Sequence, residues 1–147
     1  MNRSIVIYVL GYILKPEGVL MSLPSLIALI YREKEGWAYF IVGMISILLG
    51  QLMSMRKPKD YVIYLKEGCV ATSLSWILMG VVGAIPFMIT GEIPSFINAL
   101  FEMVSGFTTT GASILSDVEA VSRCSTTWRC FSHWIGGMGV LVFIIAI

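Results

Sequence analysis

Long apolar runs separated by short polar clusters dominate the chain. Residues 37–55 and 68–91 contain no charged residue. A third run opens at residue 130 and continues to residue 147, with His133 as its only histidine. A helix needs roughly 20 apolar residues to cross a hydrocarbon core about 30 Å thick. Each run therefore predicts a membrane-spanning helix.

The first apolar stretch, residues 4–31, is interrupted by polar and helix-bending residues. Lys15, Pro16 and Glu17 lie within it, and Pro24 follows. Proline removes one helical hydrogen bond and bends a helix, so we predict one long membrane helix that is kinked or broken. Lys15 and Glu17 are expected to face protein, to pair with each other or to reach the interface. A place in an ion path is the functional alternative.

The composition also indicates a membrane environment. Hydrophobic residues make up 57% of the chain and charged residues 13%, with a net charge of +1, which is far from the balance of a soluble domain. This balance gives no reason to expect nucleic acid as a partner. The sequence contains no nucleophile–base pair, phosphate-binding loop or dinucleotide fingerprint. We therefore expect an all-α integral membrane protein that is not an enzyme.

Basic residues indicate the orientation in the membrane. Arg56, Lys57 and Lys59 lie in a short loop between the second and third apolar segments, and short basic loops stay in the cytoplasm. The N-terminus, which carries Arg3, is then cytoplasmic as well. Aromatic residues expected to form a belt at the membrane interfaces are Tyr31, Trp37, Tyr39, Tyr61 and Tyr64.

Residues 93–116 are too polar to cross a membrane and too apolar for an ordinary solvated loop. Ser95 is a candidate N-cap, and apolar residues recur at helical spacing from there to Gly106. About ten helical residues cover roughly 15 Å, which is half of a membrane. The pattern predicts a pore helix and filter loop between two membrane helices within residues 60–147, preceded by a two-helix membrane region, residues 1–59.

The segment that follows the predicted pore helix, residues 106–113, reads GFTTTGAS. Irregular backbone at membrane depth is tolerated only where it is buried in protein or lines a water-filled cavity. An extended threonine strand ended by glycine can direct its carbonyls at one axis, where they replace the hydration shell of a cation. A similar sequence also occurs in ordinary turns. The expected ion site comprises Thr108, Thr109, Thr110 and Gly111, supported by Gly106, Phe107 and Ala112.

Polar residues on either side of this segment are candidates for supporting roles. Glu102, one turn before the filter, is expected to brace backbone amides or to attract cations, and Asn98 is a second candidate of this kind. Capping and packing are the alternatives for both. Asp117 and Glu119 are expected either to attract cations into an external vestibule or to lie in a solvated loop.

The last apolar segment carries further candidates. Arg123 and Arg129 are expected to pair with Asp117 and Glu119 or to anchor the start of the last helix. His133 is expected to form a hydrogen bond between helices rather than to bind a ligand. The cysteines show no metal-binding spacing. Small residues expected to permit close helix packing are Gly80, Ala84, Gly136, Gly137 and Gly139.

Three motifs carry a resemblance to a known family. Residues 104–113 read VSGFTTTGAS, Trp128 and Arg129 follow, and residues 134–139 read WIGGMG. In these motifs the chain resembles the Trk/Ktr/HKT potassium transporter superfamily, and within it the Trk-type membrane subunit. The resemblance implies potassium uptake across the bacterial inner membrane by four such repeats around one pore, of which this chain holds one. It implies that the carbonyls of Thr109 and Thr110 bind potassium, with Thr108 and Gly111 beside them.

The resemblance also implies partners and a longer protein. A homodimer is expected, surrounded by membrane lipid, with a cytoplasmic nucleotide-binding regulatory subunit of the RCK type that is TrkA-like. Potassium is the expected ion, with no organic cofactor in this chain. Because three repeats of that architecture are missing, a truncated product is expected. The alternatives are a subunit of a small homotetrameric cation channel and a non-conducting membrane remnant.

Overall fold

The computed structural model describes residues 3–55, 64–117 and 120–146. These residues form six helices and contain no strand, which confirms the predicted all-α class. In chain order the helices are α1 (Arg3–Leu20), α2 (Ser22–Tyr31), α3 (Gly36–Met55), α4 (Leu65–Thr90), α5 (Phe96–Phe107) and α6 (Arg123–Ala146).

Three helical stretches of the described residues are long and apolar enough to cross a membrane. They are Arg3–Tyr31, which comprises α1 and α2, then Gly36–Met55 and Lys66–Thr90. These are the first three spans that the apolar runs predict. The fourth predicted span falls in α6, which is 24 residues long and carries polar residues through its first half.

The first span is broken, as predicted, and the break lies at Met21. Pro24 sits in the first turn of α2 and lacks the N–H that would otherwise donate to the carbonyl of Leu20. Pro16, in contrast, lies inside α1. Pro24 therefore accounts for the break, which follows the charged interruption by four residues.

Glycines bring α1 and α3 into close contact. A Cβ added to Gly18 would lie 2.6 Å from the carbonyl oxygen of Gly43, and one added to Gly11 would lie 2.8 Å from that of Gly50. The two glycines are seven residues apart on each helix, so they repeat on one face. Close backbone approach of this kind stabilises helix pairs in lipid, where the hydrophobic effect does not drive association.

The short helix α5 packs against both α4 and α6. It is 12 residues long, or about 18 Å, which agrees with the predicted half-membrane length. It begins directly after Ser95, but the Ser95 side chain makes no capping hydrogen bond. The indole N–H of Trp128 in α6 donates to the carbonyl of Gly83 in α4 (3.1 Å) and fixes these two helices relative to each other.

Two carboxylates from other segments cap the N-terminus of α6. Glu33, from the α2–α3 connection, accepts from the N–H groups of Arg123 (3.1 Å) and Cys124 (3.0 Å). Glu92, from the α4–α5 connection, accepts from the N–H of Ser122 (2.7 Å). Negative charge at a helix N-terminus satisfies free donors and complements the helix dipole. The Glu33 contacts attach the first two spans to α6, and the Glu92 contact attaches the α4–α5 connection to it.

The expected belt position of Tyr39 is wrong. Its ring is fully buried, packs against Phe87 and Trp128, and its hydroxyl donates to Ser125 (2.8 Å). A polar partner inside the protein therefore replaces the interface for this hydroxyl. Exposed members of the expected belt are Tyr31, Trp37 and Tyr64. Predicted features outside the described residues are Tyr61 and the basic residues Arg56, Lys57 and Lys59.

Candidate functional site

The helix α5 ends in a turn that folds the next residues over its last carbonyls. The N–H of Thr109 donates to the carbonyl of Gly106 (2.9 Å), and the N–H of Thr110 donates to that of Ser105 (3.0 Å). Thr109 has a φ of +57°. Together these features form a Schellman motif, in which a left-handed residue closes the helix. Thr109 occupies the position that glycine usually takes.

The threonines consequently do not form one extended strand, and that expectation is wrong. Thr108 keeps a φ of −81° with a ψ of 0°, and Thr109 is left-handed. Gly111 has a φ of +75°, in agreement with the predicted need for glycine there. Successive residues of an extended strand face opposite sides. Left-handed residues at 109 and 111 interrupt that alternation, which allows neighbouring carbonyls to face one side.

Three successive carbonyls of this segment have no protein donor. Within residues 3–55, 64–117 and 120–146, nothing donates a hydrogen bond to the carbonyls of Thr109, Thr110 or Gly111. The carbonyl of Thr108 accepts from the Thr109 hydroxyl (2.7 Å), and that of Ala112 accepts from the Ser105 hydroxyl (2.6 Å). Residues 108–114 are exposed. The geometry thus leaves three consecutive oxygens available to a cation.

A buried carboxylate holds the segment that leaves this turn. Glu102 is 1% exposed and lies on the second half of α5. Its carboxylate accepts from the Ser113 hydroxyl (3.1 Å to each oxygen) and from the N–H of Ile114 (3.0 Å), and it forms an ion pair with Arg129 of α6. Charge-assisted bonds of this type are the stronger class of protein hydrogen bond. One side chain therefore holds α5, the segment that leaves the turn and α6 together.

This arrangement favours bracing over cation attraction as the role of Glu102, because its charge is already balanced by Arg129. Among the described residues, the ion-pair partner of Arg129 is therefore Glu102 of α5. The guanidinium of Arg123 lies over the ring of Tyr31, 4.5 Å from its centroid.

Asp117 is exposed, and Glu119 lies outside the described residues. Asn98 makes no side-chain hydrogen bond within the described part of the chain.

The end of α5 lies directly against α6. A Cβ added to Gly136 would be 2.0 Å from the carbonyl oxygen of Phe107, and one added to Gly106 would be 2.0 Å from the hydroxyl of Ser132. For Gly137 the nearest atom, a methyl of Thr109, would be 3.9 Å away. Close packing at this interface therefore depends on Gly136 and Gly106. The turn after α5 is positioned by this contact.

The interhelical role expected of His133 is wrong for its Nδ1. That nitrogen lies 2.9 Å from the carbonyl of Arg129, one turn earlier on the same helix. Sequence reasoning also missed the contacts of Ser105 with Ala112 and of Ser113 with Glu102. Their signal was weak, since a serine near a turn bonds locally in many ways. Glu102 indicated these contacts more strongly than the serines did, because a buried carboxylate requires a charged or hydrogen-bonding partner.

Comparison with known proteins identifies the family of this chain. The sequence profile of the family described as "TrkH: Cation transport protein" matches residues 35–147. The chain belongs to the TrkH family. Its relatives include Trk system potassium uptake protein TrkG of Escherichia coli, which is 34% identical over 100% of this chain and 31% of the relative. An uncharacterized cation transporter of Methanocaldococcus jannaschii is 30% identical over 93% of this chain and 29% of the relative.

A solved structure agrees with the fold of this TrkH-family chain. The crystal structure of the potassium transporter TrkH from Vibrio parahaemolyticus matches 99% of the chain with a TM-score of 0.92 at 28% identity. The match covers 32% of that protein, and the chain spans about a third of the length of the curated relatives. These relatives are transporters rather than enzymes, and with the apolar helices they show a membrane-integral protein.

Proposed function

We propose that this chain forms part of a potassium uptake pathway and supplies one quarter of its selectivity filter. The observation that carries the proposal is the exposed turn after α5, with three consecutive free carbonyls and positive φ at Thr109 and Gly111. Carbonyl oxygens replace the hydration shell of potassium in ion filters. The Escherichia coli relative is named a potassium uptake protein, which agrees with this ion.

In this proposal the carbonyls of Thr109 and Thr110 bind potassium, with Thr108 and Gly111 beside them. Gly106 and Phe107 position the turn through their contact with α6, and Ala112 does so through the bond from Ser105. Glu102 fixes the outgoing segment. Residues of the proposed external vestibule are Asp117 and Glu119. Asn98 is a packing residue in this scheme, since its amide braces nothing in the described part of the chain.

The same proposal covers the organisation of the protein. Residues 1–59 form a leading two-helix region and residues 60–147 form one repeat of membrane helix, pore helix, filter and membrane helix. The membrane is the bacterial inner membrane. The N-terminus is cytoplasmic, an orientation that the basic residues in the loop after residue 55 favour. Full-length copies form a homodimer in lipid and bind a TrkA-like regulatory subunit of the RCK type. The "Trk system" in the relatives' names agrees with more than one component.

Growth of a bacterium deficient in potassium uptake tests this function. The full-length protein that carries this sequence is expressed at low external potassium, and rubidium influx is measured with potassium or sodium as competitor. Rescue of growth is expected, with stronger competition by potassium than by sodium. Normal membrane insertion without rescue or influx would overturn the proposal.

A further inference from the structure

Glu17 is a buried carboxyl group within the first membrane span. It lies in α1, is 2% exposed, and neither carboxyl oxygen has a hydrogen-bond partner among residues 3–55, 64–117 and 120–146. Leu14 and Met21, one turn before and one turn after it, belong to the hydrophobic core that also contains Val82 of α4. A polar side chain is thus enclosed by an apolar part of the protein.

Within the described part of the chain, no neighbouring element brings a compensating charge to this position. Lys15 does not pair with Glu17, as was one expectation, because its ammonium lies over the ring of Tyr12, 4.7 Å from the centroid. The helices α2 and α3 contain no charged residue. The titratable Tyr39 of α3 donates its hydroxyl to Ser125, and Tyr31 of α2 is exposed and lies beneath Arg123.

The charged residues of α4 are far from Glu17 along the helix axis. Ile5 and Val6 of α1 pack against Ala71 of α4, so the N-terminal ends of these helices are adjacent. Lys66 and Glu67 lie at that end of α4, near Arg3 of α1. Glu17 is eleven residues beyond Val6, roughly 16 Å along the helix. Neither Lys66 nor Arg3 is therefore placed to balance the charge of an ionised Glu17.

An ionised carboxylate at this position would be unstable. Burying an unpaired charge costs far more than burying a neutral polar group, and within a membrane the neutral acid is the cheaper form. A metal cation would need several oxygen ligands, whereas neither Glu17 carboxyl oxygen has a hydrogen-bonding partner among the described residues. A proton needs no further ligand.

We propose that Glu17 is a proton-binding site inside the membrane region, occupied when α1 packs against α3 and α4. Because Glu17 is enclosed within this chain, a group from another chain reaches it only if these helices separate. Loss of the proton leaves a bare carboxylate in an apolar core. Deprotonation therefore weakens the packing of α1, and the stability of this region depends on pH.

The direction of the pH dependence follows from proton counting. A glutamate exposed by unfolding loses its proton above about pH 4.3, whereas the packed Glu17 keeps its own. Below that pH both states bind the proton, and this residue contributes no slope. Above it, unfolding releases one proton, so the unfolding equilibrium constant rises about tenfold per pH unit. The rise ends where packed Glu17 itself ionises.

Infrared difference spectroscopy on the full-length protein tests the protonation state directly. A carboxylic-acid carbonyl band is expected for the wild type at neutral pH and is expected to be absent from Glu17→Gln. Glu35→Gln, which removes a partly exposed carboxylate outside the helices, is the matched control and should keep the band. An unchanged carboxylic-acid band in Glu17→Gln would overturn the proposal, because it would mean that Glu17 is ionised in the wild type.

Thermal unfolding provides an independent readout that does not use ion uptake. Between about pH 6 and about pH 8 the melting temperature of the wild type is expected to fall more than that of Glu17→Gln. Glu17→Leu is the second variant if the glutamine variant does not fold, and it should also remove the extra slope. Equal slopes for wild type and the folded variant would exclude the proton site. Failure of the potassium proposal would leave both results unaffected.

Discussion

Gly136 of α6 faces the last carbonyl of α5 so closely that an added Cβ would lie 2.0 Å from the carbonyl oxygen of Phe107. No side-chain adjustment relieves this overlap, because both groups belong to helix backbones. The helices α5 and α6 are therefore held at a distance that only glycine permits.

Gly136→Ala is expected to separate α5 from α6 and to lower potassium influx strongly. Overpacking of a tight contact typically costs about 1–3 kcal/mol, and the overlap with backbone places this variant at the upper end. Melting temperature and rubidium influx of the full-length protein measure the effect. Gly137→Ala is the matched control, since its Cβ would come no closer than 3.9 Å to another atom. Equal effects of the two substitutions would contradict the contact.

Glu102→Gln is expected to weaken both stability and ion discrimination. The glutamine leaves Arg129 without its counter-charge, and its NH₂ group cannot accept from Ser113 or Ile114. Removal of one partner from a buried ion pair typically costs about 3–5 kcal/mol. The melting temperature measures the loss of stability, and sodium competition with rubidium influx measures discrimination. Asn98→Ala, one turn earlier on α5, should behave as wild type.

The ion pair itself is tested by a double variant. Arg129→Met added to Glu102→Gln removes the uncompensated charge, so the double variant should recover part of the stability lost by Glu102→Gln. Contacting residues show interaction energies of about 0.5–3 kcal/mol in such cycles. Strict additivity of the two single effects would mean that Glu102 and Arg129 do not stabilise each other.

Gly111→Ser is expected to weaken discrimination between potassium and sodium while leaving membrane insertion intact. A Cβ at Gly111 meets no atom within 4 Å, but the φ of +75° is strained for any other residue. That strain costs roughly 1–2 kcal/mol and is relieved by rotation of the backbone that carries the free carbonyls. The measurement is sodium inhibition of rubidium influx.

The control for Gly111 is Gly91→Ser. Gly91 ends α4 with a φ of +77° and equally open surroundings, so this substitution imposes a similar strain away from the filter. It should lower stability by a similar amount without changing ion preference. If both variants alter discrimination, the effect reports general destabilisation. If neither does, Gly111 does not shape the ion path.

The apolar runs and the half-length helix were predictable because they follow from membrane thickness and helical spacing. The turn was less so, since a left-handed residue at a helix end is usually glycine and Thr109 carries a branched side chain in its place. The Glu102–Arg129 pair joins residues 27 positions apart, which no local pattern records. The sequence predicts an interfacial position for Tyr39, because the hydrogen-bond partner of its hydroxyl, Ser125, lies in a distant part of the chain.

The thiol of Cys124 provides a probe of the capped end of α6. Burial, and then the negative charges of Glu33, Glu92 and Glu35, raise the pKa of Cys124 to about 12. The thiolate is the reactive form, so at about pH 8 only about one thiol in ten thousand is ionised. In a variant that retains Cys124 as its only cysteine, maleimide labelling is expected to be very slow and to rise about tenfold per pH unit.

Two comparisons make this labelling prediction specific. The same protein unfolded in detergent should label rapidly, and a variant that retains only the exposed Cys130 should label in the folded state. Glu33→Gln removes a negative charge beside Cys124, which lowers the pKa of the thiol and should accelerate its labelling. Because Glu33 also accepts from the N–H of Cys124, acceleration far beyond the charge effect would indicate that the end of α6 has opened. Unchanged labelling would mean that the charge of Glu33 does not act on the Cys124 thiol.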